Sequence, residues 1–242
     1  MSNLTKENNC EVLALVPARG GSKSMPRKNL RVVGGKPMVV HAIEHALNSK
    51  TITRVILTTD DDEIAEVGAN AGAEVPFMRP AEFAEDLSTD YEFVRHALTW
   101  LRDNEQYVPD LVVQLRPTTP IRDTNIIDRG VELLSSKPEA DSLRAVVKAC
   151  YSPYKMWSHD ENGYLKAVLQ HPKYDEAYNE PRQNLPTIYQ HDGFLDITRP
   201  STIFEKNSVT GRNILPLFLD EISIDIDYEH ELVEANKIME GE

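Results

Sequence analysis

Short apolar runs alternate with amphipathic stretches through the first 136 residues, and this alternation constrains the fold more than any other feature of the chain. "VLALVP" (12–17), "RVILTT" (54–59) and "LVVQLRP" (111–117) are short and apolar enough to read as buried strands. Between them apolar residues recur at helical spacing. Val39, Ile43, Ala46 and Leu47 align in 39–49, and Ile64, Val67 and Ala71 follow an acidic run suited to a helix start. Val94, Ala97, Leu98 and Leu101 align in 90–101, and Ile127, Val131 and Leu134 in 124–136. "AEVPFMRP" predicts a further short strand at about 73–78. Together these predict an α/β fold, a mostly parallel sheet with helices on both faces. Ligands of such sheets bind beyond the carboxyl ends of the strands.

From about residue 150 the periodicity lapses. Residues 150–190 are rich in Pro, Tyr and His and predict an insertion of irregular strands at an interface, with "DENG" (160–163) as a hairpin turn. The sheet is expected to resume at "GFLDIT" (193–198) and "ISIDID" (222–227), before a closing helix with Leu232, Ala235 and Met239 on one face. A chain of 242 residues accommodates one such domain with a modest insertion. Its 39 acidic against 26 basic residues, net −13, argue against sequence-independent nucleic-acid binding. Cys10 and Cys150 form no zinc or disulfide pattern and fit a reducing cytosol. The polar N-terminus shows no leader, and no apolar run reaches the length of a membrane span. A cytoplasmic protein is expected.

Against that acidic balance, "LALVPARGGSKSMPRKN" (13–29) places Arg19, Lys23, Arg27 and Lys28 on a glycine-bearing loop at a strand exit. Glycine lets backbone N–H groups approach oxygens closely, and the cations supply charge-assisted hydrogen bonds, so the loop suits a polyphosphate. It fits neither the Walker A nor the G-x-G-x-x-G pattern; a solvated surface loop is the plain alternative. Asp225 and Asp227, two apart in an extended run, present both carboxylates on one face, a minimal clamp for Mg²⁺ with Mn²⁺ as the alternative.

Five segments in order resemble the acylneuraminate cytidylyltransferases, the CMP-sialic acid synthetases. They are "PARGGSKSMPRKN", "RPAEFAEDLST" (79–89), "RPTTPIR" (116–122), "PRQNLP" (181–186) and "SIDID" (223–227). The resemblance implies a nucleotide-diphospho-sugar transferase (Rossmann-like) fold over 1–149 and 191–242. Residues 150–190 would then be a small inserted segment for dimerisation or sugar binding, in a homodimer. It implies transfer of a nucleotide from CTP to the anomeric hydroxyl of a nine-carbon 2-keto acid sugar, a sialic acid or a legionaminic or pseudaminic acid, with release of pyrophosphate. Arg19 and Lys28 match the triphosphate cations, with Asp225 and Asp227 as the catalytic metal pair. Ala18, Gly20, Lys23, Asn29, Arg79, Asp86 and Ser88 match the nucleotide-binding positions. Arg116, Thr118, Arg182, Gln183 and Asp192 fall at the sugar, Arg182 being suited to a carboxylate.

The sugar end departs from the family pattern. Arg116 stands where sialic acid enzymes often have Gln, and "HDGFLDI" places Asp192 and Asp196 where the family has Asn and Tyr. A sugar phosphate or another nucleoside triphosphate is the alternative substrate, and a non-catalytic nucleotide-binding domain the non-enzymatic one. "HAIEH" (41–45) matches the H-x-x-E-H zinc pattern, but the core face drawn above leaves both histidines towards solvent with no third ligand. The aromatics of 151–189 suit a dimer surface or sugar pocket better than a base-stacking platform, given the acidic charge.

Overall fold

Val, Leu and Ile runs that can be buried on both faces build the centre of the sheet. In a computed structural model describing residues 10–241, the strands are β1 (Val12–Pro17), β2 (Val32–Val33), β3 (Lys36–Pro37), β4 (Arg54–Thr58), β5 (Leu111–Gln114), β6 (Ser142–Lys148), β7 (Trp157–His159), β8 (Leu165–Ala167), β9 (Tyr189–Thr198) and β10 (Ile214–Leu219). The helices are α1 (Met38–Asn48), α2 (Asp62–Asn70), α3 (Asp90–Glu105), α4 (Thr124–Ser135), α5 (Pro200–Phe204) and α6 (Glu229–Glu240). Residues 1–9, which include most of the segment read for a leader, lie outside the described residues.

Six strands form one sheet in the order β10–β6–β9–β5–β1–β4. β1 runs parallel to both β4 and β5, and Leu15 is in register with Ile56 on one side and Gln114 on the other. β9 runs antiparallel to β5 and sets Asp196 opposite Gln114. The parallel part expected from the alternation is therefore β4–β1–β5. Helices cover both faces. Leu13, Leu15, Ile56 and Val112 pack with Phe93, Val94, Ala97, Leu98 and Leu101 of α3 and Ile203 of α5. On the opposite face Gly68 of α2 lies against Leu57 and Ile43, and Gly130 of α4 against Leu195 and Ile197. A smaller core joins Met25, Val33 and Met38 to Ile226, Leu232 and Ala235, docking α6 against the basic loop.

The chain divides into two units. One holds the chain up to Ala145, Gly193–Leu217 and the segment from Ser223; the other holds Val146–Asp192 and Phe218–Ile222. In the second unit β7 and β8 pair antiparallel around the expected turn, where Gly163 has φ +84° and Asp160 Oδ1 accepts from the Asn162 and Tyr164 amides, both at 2.9 Å.

Four expectations are corrected. "ISIDID" is extended but outside the sheet, because Ile226 N–H bonds to the Thr118 carbonyl (2.7 Å) instead of a ladder strand; the edge strand is β10. Residues 73–78 contribute one parallel bridge, Ile56 to Glu74, rather than a strand. Leu47 is 49% exposed, while Ala42 and His41 occupy the buried face of α1. His41 is thus turned inward, donating to the Val33 carbonyl at 2.7 Å. Burial pushes His45 down to about 3, helped by Arg122 and His41. No group of three or more metal-ligating side chains occurs among the described residues.

Candidate active site

β1 and β4 end side by side, and the loop that leaves β1 is held there from several directions. The buried Ala18 donates its amide to the Thr58 carbonyl (3.0 Å), and Gly20 N–H donates to Asp60 Oδ1 (2.9 Å). A Cβ on Gly20 would lie 2.7 Å from Asp61 Oδ2, so this approach of loop to helix start admits glycine only. Asp61 caps α2 by accepting from Ile64 N–H (3.0 Å) and is also gripped by Arg27, which reaches Glu63 as well. Arg27 therefore braces the loop on α2 rather than facing an anion. Met25, 2% exposed, anchors the loop from below, and the buried Asn29 donates through Nδ2 to the Arg19 carbonyl (2.8 Å).

The remaining cations line two hollows that share Arg19, Lys28 and Asn29. One, of about 240 Å³, is walled by Pro17, Arg79, Asp86, Ser88, Arg116 and Thr118, with Phe83, Asp90 and Phe93 beside them. The other, of about 300 Å³, is formed by residues 21–24, Asp227 and Tyr228. Arg79 is 5% exposed, donates from Nε to Thr58 Oγ1 (3.1 Å) and from Nη2 to the Thr58 carbonyl (2.5 Å), and lies 4.8 Å from the Phe93 ring centre. Burial lowers its pKa to about 10, so it stays a cation at neutral pH. Ser88 Oγ donates to the Glu82 carbonyl and accepts from the Glu85 amide, both at 3.0 Å, shaping the loop that carries Asp86. Asp86 in turn pairs with Arg19 (3.3 Å) and with Lys23.

Arg116 is held between two carboxylates, Asp90 Oδ2 at 2.5 Å and Asp196 Oδ2 at 2.7 Å; Arg144 reaches the other oxygen of Asp196 at 3.1 Å. Burial opposes its charge, but Asp196 and Asp90 hold its pKa above the ordinary range. Its own carbonyl accepts from Arg122 Nη2 (2.6 Å), fixing the 116–122 turn.

The turn also places the carboxylate pair. With Ile226 fully buried and bonded to Thr118, Asp225 and Asp227 fall on the opposite, exposed side of the segment, as alternation requires. Lys28 Nζ lies 2.6 Å from Asp227 Oδ1, and the Asp227 amide donates to Glu231 Oε2 at 2.7 Å. Asp225 faces Gly193, whose Cβ position would be 3.5 Å from Oδ2. Carboxylate oxygens suit a hard divalent cation, and with only this pair from the protein the rest of its shell would come from water and substrate.

The site can thus hold a nucleoside in the hollow beside Arg79 and an anionic tail along Arg19, Lys23 and Lys28. A family model described as cytidylyltransferase matches residues 13–241. The chain belongs to the cytidylyltransferase family. Membership makes it a nucleotidyltransferase with the α/β fold of that class. Relatives include the CMP-N,N'-diacetyllegionaminic acid synthase of Legionella pneumophila, 33% identical over 234 residues, 95% of this chain and 96% of that one. The pseudaminic acid cytidylyltransferase of Campylobacter jejuni is 38% identical over 180 residues, 74% of each. The N-acylneuraminate cytidylyltransferase of Escherichia coli is 28% identical over 218 residues, 90% of this chain but 49% of that one. In fold the chain resembles a CMP:2-keto-3-deoxy-manno-octonic acid synthetase complexed with CTP, with TM-score 0.71, 15% identity and coverage of 96% and 99%.

Most of the residues expected at the nucleotide do meet in these two hollows. Arg182 and Gln183 belong to the second unit, where with Lys148, Ser152, Leu185 and Thr187 they line a hollow of about 280 Å³. Arg182 donates to the Cys150 carbonyl at 3.1 Å. Asp192 is buried at the end of that unit. Sequence reading missed Asp90 and Phe93, although "TDYE" (89–92) carries the capping-box signature that starts α3. Phe83, Tyr228 and the bracing role of Asp60 and Asp61 had no sequence signal.

Proposed function

We propose that the chain transfers CMP from CTP to the anomeric hydroxyl of a nine-carbon 2-keto acid sugar of the sialic, legionaminic or pseudaminic type, releasing pyrophosphate. The observation that carries this reading is a pair of hollows, one walled by Arg79 and Ser88 and the other by Lys23 and Asp227, that share Arg19, Lys28 and Asn29, an arrangement suited to a nucleoside beside a polyphosphate. The near full-length likeness to a legionaminic acid synthase supports the choice of sugar.

In this reaction the sugar hydroxyl oxygen bonds to the α-phosphorus, the bond from that phosphorus to the pyrophosphate oxygen breaks, and the hydroxyl proton is lost. No covalent enzyme intermediate is needed; positioning and charge neutralisation carry the rate. Arg19, Lys23 and Lys28 neutralise the phosphates, Arg79 and Ser88 shape the nucleoside hollow, and Thr118 fixes the position of the carboxylate pair. Asp225 and Asp227 would hold Mg²⁺, which when bound supplies Lewis-acid charge to phosphate oxygens. Lys28 rests on Asp227 in the structure, and a bound phosphate would compete with that carboxylate for the ammonium. Arg182, Gln183 and Asp192 are assigned to the sugar, and the second unit, which exposes Tyr151, Tyr164, Leu165 and Phe218, to a homodimer contact in a cytoplasmic enzyme. None of the helices is long and apolar enough to cross a membrane among the described residues.

The test is pyrophosphate release from CTP, GTP, UTP and ATP with N-acetylneuraminic, N,N'-diacetyllegionaminic and pseudaminic acids and a set of sugar 1-phosphates. Release with CTP and one of the three acids is expected. Activity confined to sugar 1-phosphates would remove the carboxylate role of Arg182 and the reading with it.

A further inference from the structure

The cations of the phosphate loop rest on a carboxylate from another segment. Arg19 Nη2 lies 3.3 Å from Asp86 Oδ1, and Lys23 pairs with Asp86 Oδ2. Arg19 also donates through Nη1 to the Glu85 carbonyl (2.5 Å), so its fork is turned onto the 84–86 loop. Ser88 braces that loop, which gives Asp86 a fixed place from which to hold both cations. Both pairs are open to solvent: side-chain exposure is 33% for Arg19, 39% for Asp86 and 85% for Lys23. Exposed pairs of this kind are individually weak, and a polyanion can displace them.

We propose that Asp86 is a product-release residue, an internal anion that competes with pyrophosphate for Arg19 and Lys23. This rests on the transferase reading above. While the phosphates are covalently joined to the nucleoside, the nucleoside hollow holds them at high effective concentration beside the cations, and Asp86 is displaced. Transfer breaks the bond between the α-phosphorus and the pyrophosphate oxygen. Pyrophosphate then has no tether, and the permanently tethered Asp86 retakes both cations. One weak competitor thereby loses to the substrate and wins against the product.

Asp86→Asn removes the competing charge and Asp86→Glu keeps it. Both full-length variants are checked by thermal melting, then titrated calorimetrically with Mg²⁺-pyrophosphate, CTP and cytidine. Asp86→Asn is expected to bind pyrophosphate roughly two- to thirtyfold more tightly, the range two exposed ion pairs supply. Cytidine, which carries no phosphate, should show no such gain, and a first-turnover burst of CMP-sugar should precede a slower steady state. Asp86→Glu, which keeps the charge, should show little of the gain in pyrophosphate affinity. Unchanged or weaker pyrophosphate binding by folded Asp86→Asn overturns the proposal. So does an equal loss for all three ligands, which a merely structural carboxylate would give. Wild-type protein that binds neither CTP nor pyrophosphate would instead overturn the transferase reading on which the proposal stands.

Discussion

Asp225 and Asp227 illustrate how a residue's role depends on its immediate backbone. Their neighbour Ile226 is fully buried and bonded to Thr118, which leaves both carboxylates exposed on the site side. Substitution by Asn keeps shape and removes charge, so the segment stays docked through Ile226. Asp225→Asn and Asp227→Asn are each expected to lower turnover by 10²-fold or more, the scale on which electrostatic stabilisation of a transition state is lost. Melting temperature should remain near wild type. CTP affinity without metal should stay near wild type in Asp225→Asn and rise modestly in Asp227→Asn, which frees Lys28 from its carboxylate. Mn²⁺ binding in the presence of nucleotide, read by electron spin resonance, should weaken. Wild-type Mn²⁺ binding in both variants would end the assignment. Arg116 is the instructive contrast. The family resemblance sets it at the sugar, and its partners Asp90 and Asp196 come together only on folding.

At the scale of elements, α6 governs the carboxylate pair. Leu232 and Ala235 enter the core that also holds Met25 and Ile226, and Glu231 accepts from the Asp227 amide. Leu232→Ala removes buried volume at the centre of this contact and is expected to cost about 3 kcal/mol. Chemical denaturation measures that loss directly, and turnover should fall more than CTP affinity because the helix sets Asp227 rather than the nucleoside hollow. Helices with full apolar stripes were legible in sequence: α3 buries Val94, Ala97, Leu98 and Leu101 as their spacing requires. β6 and β10 escaped notice because Arg144 and Pro216 interrupt otherwise apolar runs, and α5 because five residues cannot display a helical period. The basic loop was legible as a cluster of cations beside glycine because charge and glycine are local. The diversion of Arg27 to Asp61 was not, since it depends on a contact 34 positions away.

For the molecule as a whole, acid sensitivity follows from Asp141. This buried carboxylate pairs with Lys206 and accepts from the amides of Arg212 (2.9 Å) and Asn213 (3.1 Å), which together hold its pKa down to about 2. A folded-state pKa below the unfolded value of about 3.9 means stability that is present above pH 4 and lost as pH falls through about 2. Wild-type protein should therefore unfold progressively over that window. Asp141→Asn should be less stable at pH 7 and show a shallower decline there. Parallel stability curves for the two proteins from pH 7 to pH 2 would remove Asp141 as a cause.

The docking of α6 against the basic loop also has a consequence for synthesis. Lys28 meets Asp227 across 199 positions, Arg31 meets Glu229 across 198, and Gly34 meets Asn236 across 202. At about 5–20 residues per second a ribosome needs about 10–40 s to travel that distance. Throughout that interval Arg19, Lys23 and Arg27 can meet Asp86, Asp61 and Glu63, but Lys28 and Arg31 lack Asp227 and Glu229. The candidate site is begun among the first segments of this sequence to be made, and its 225–227 side is completed among the last, once translation has passed Asn236.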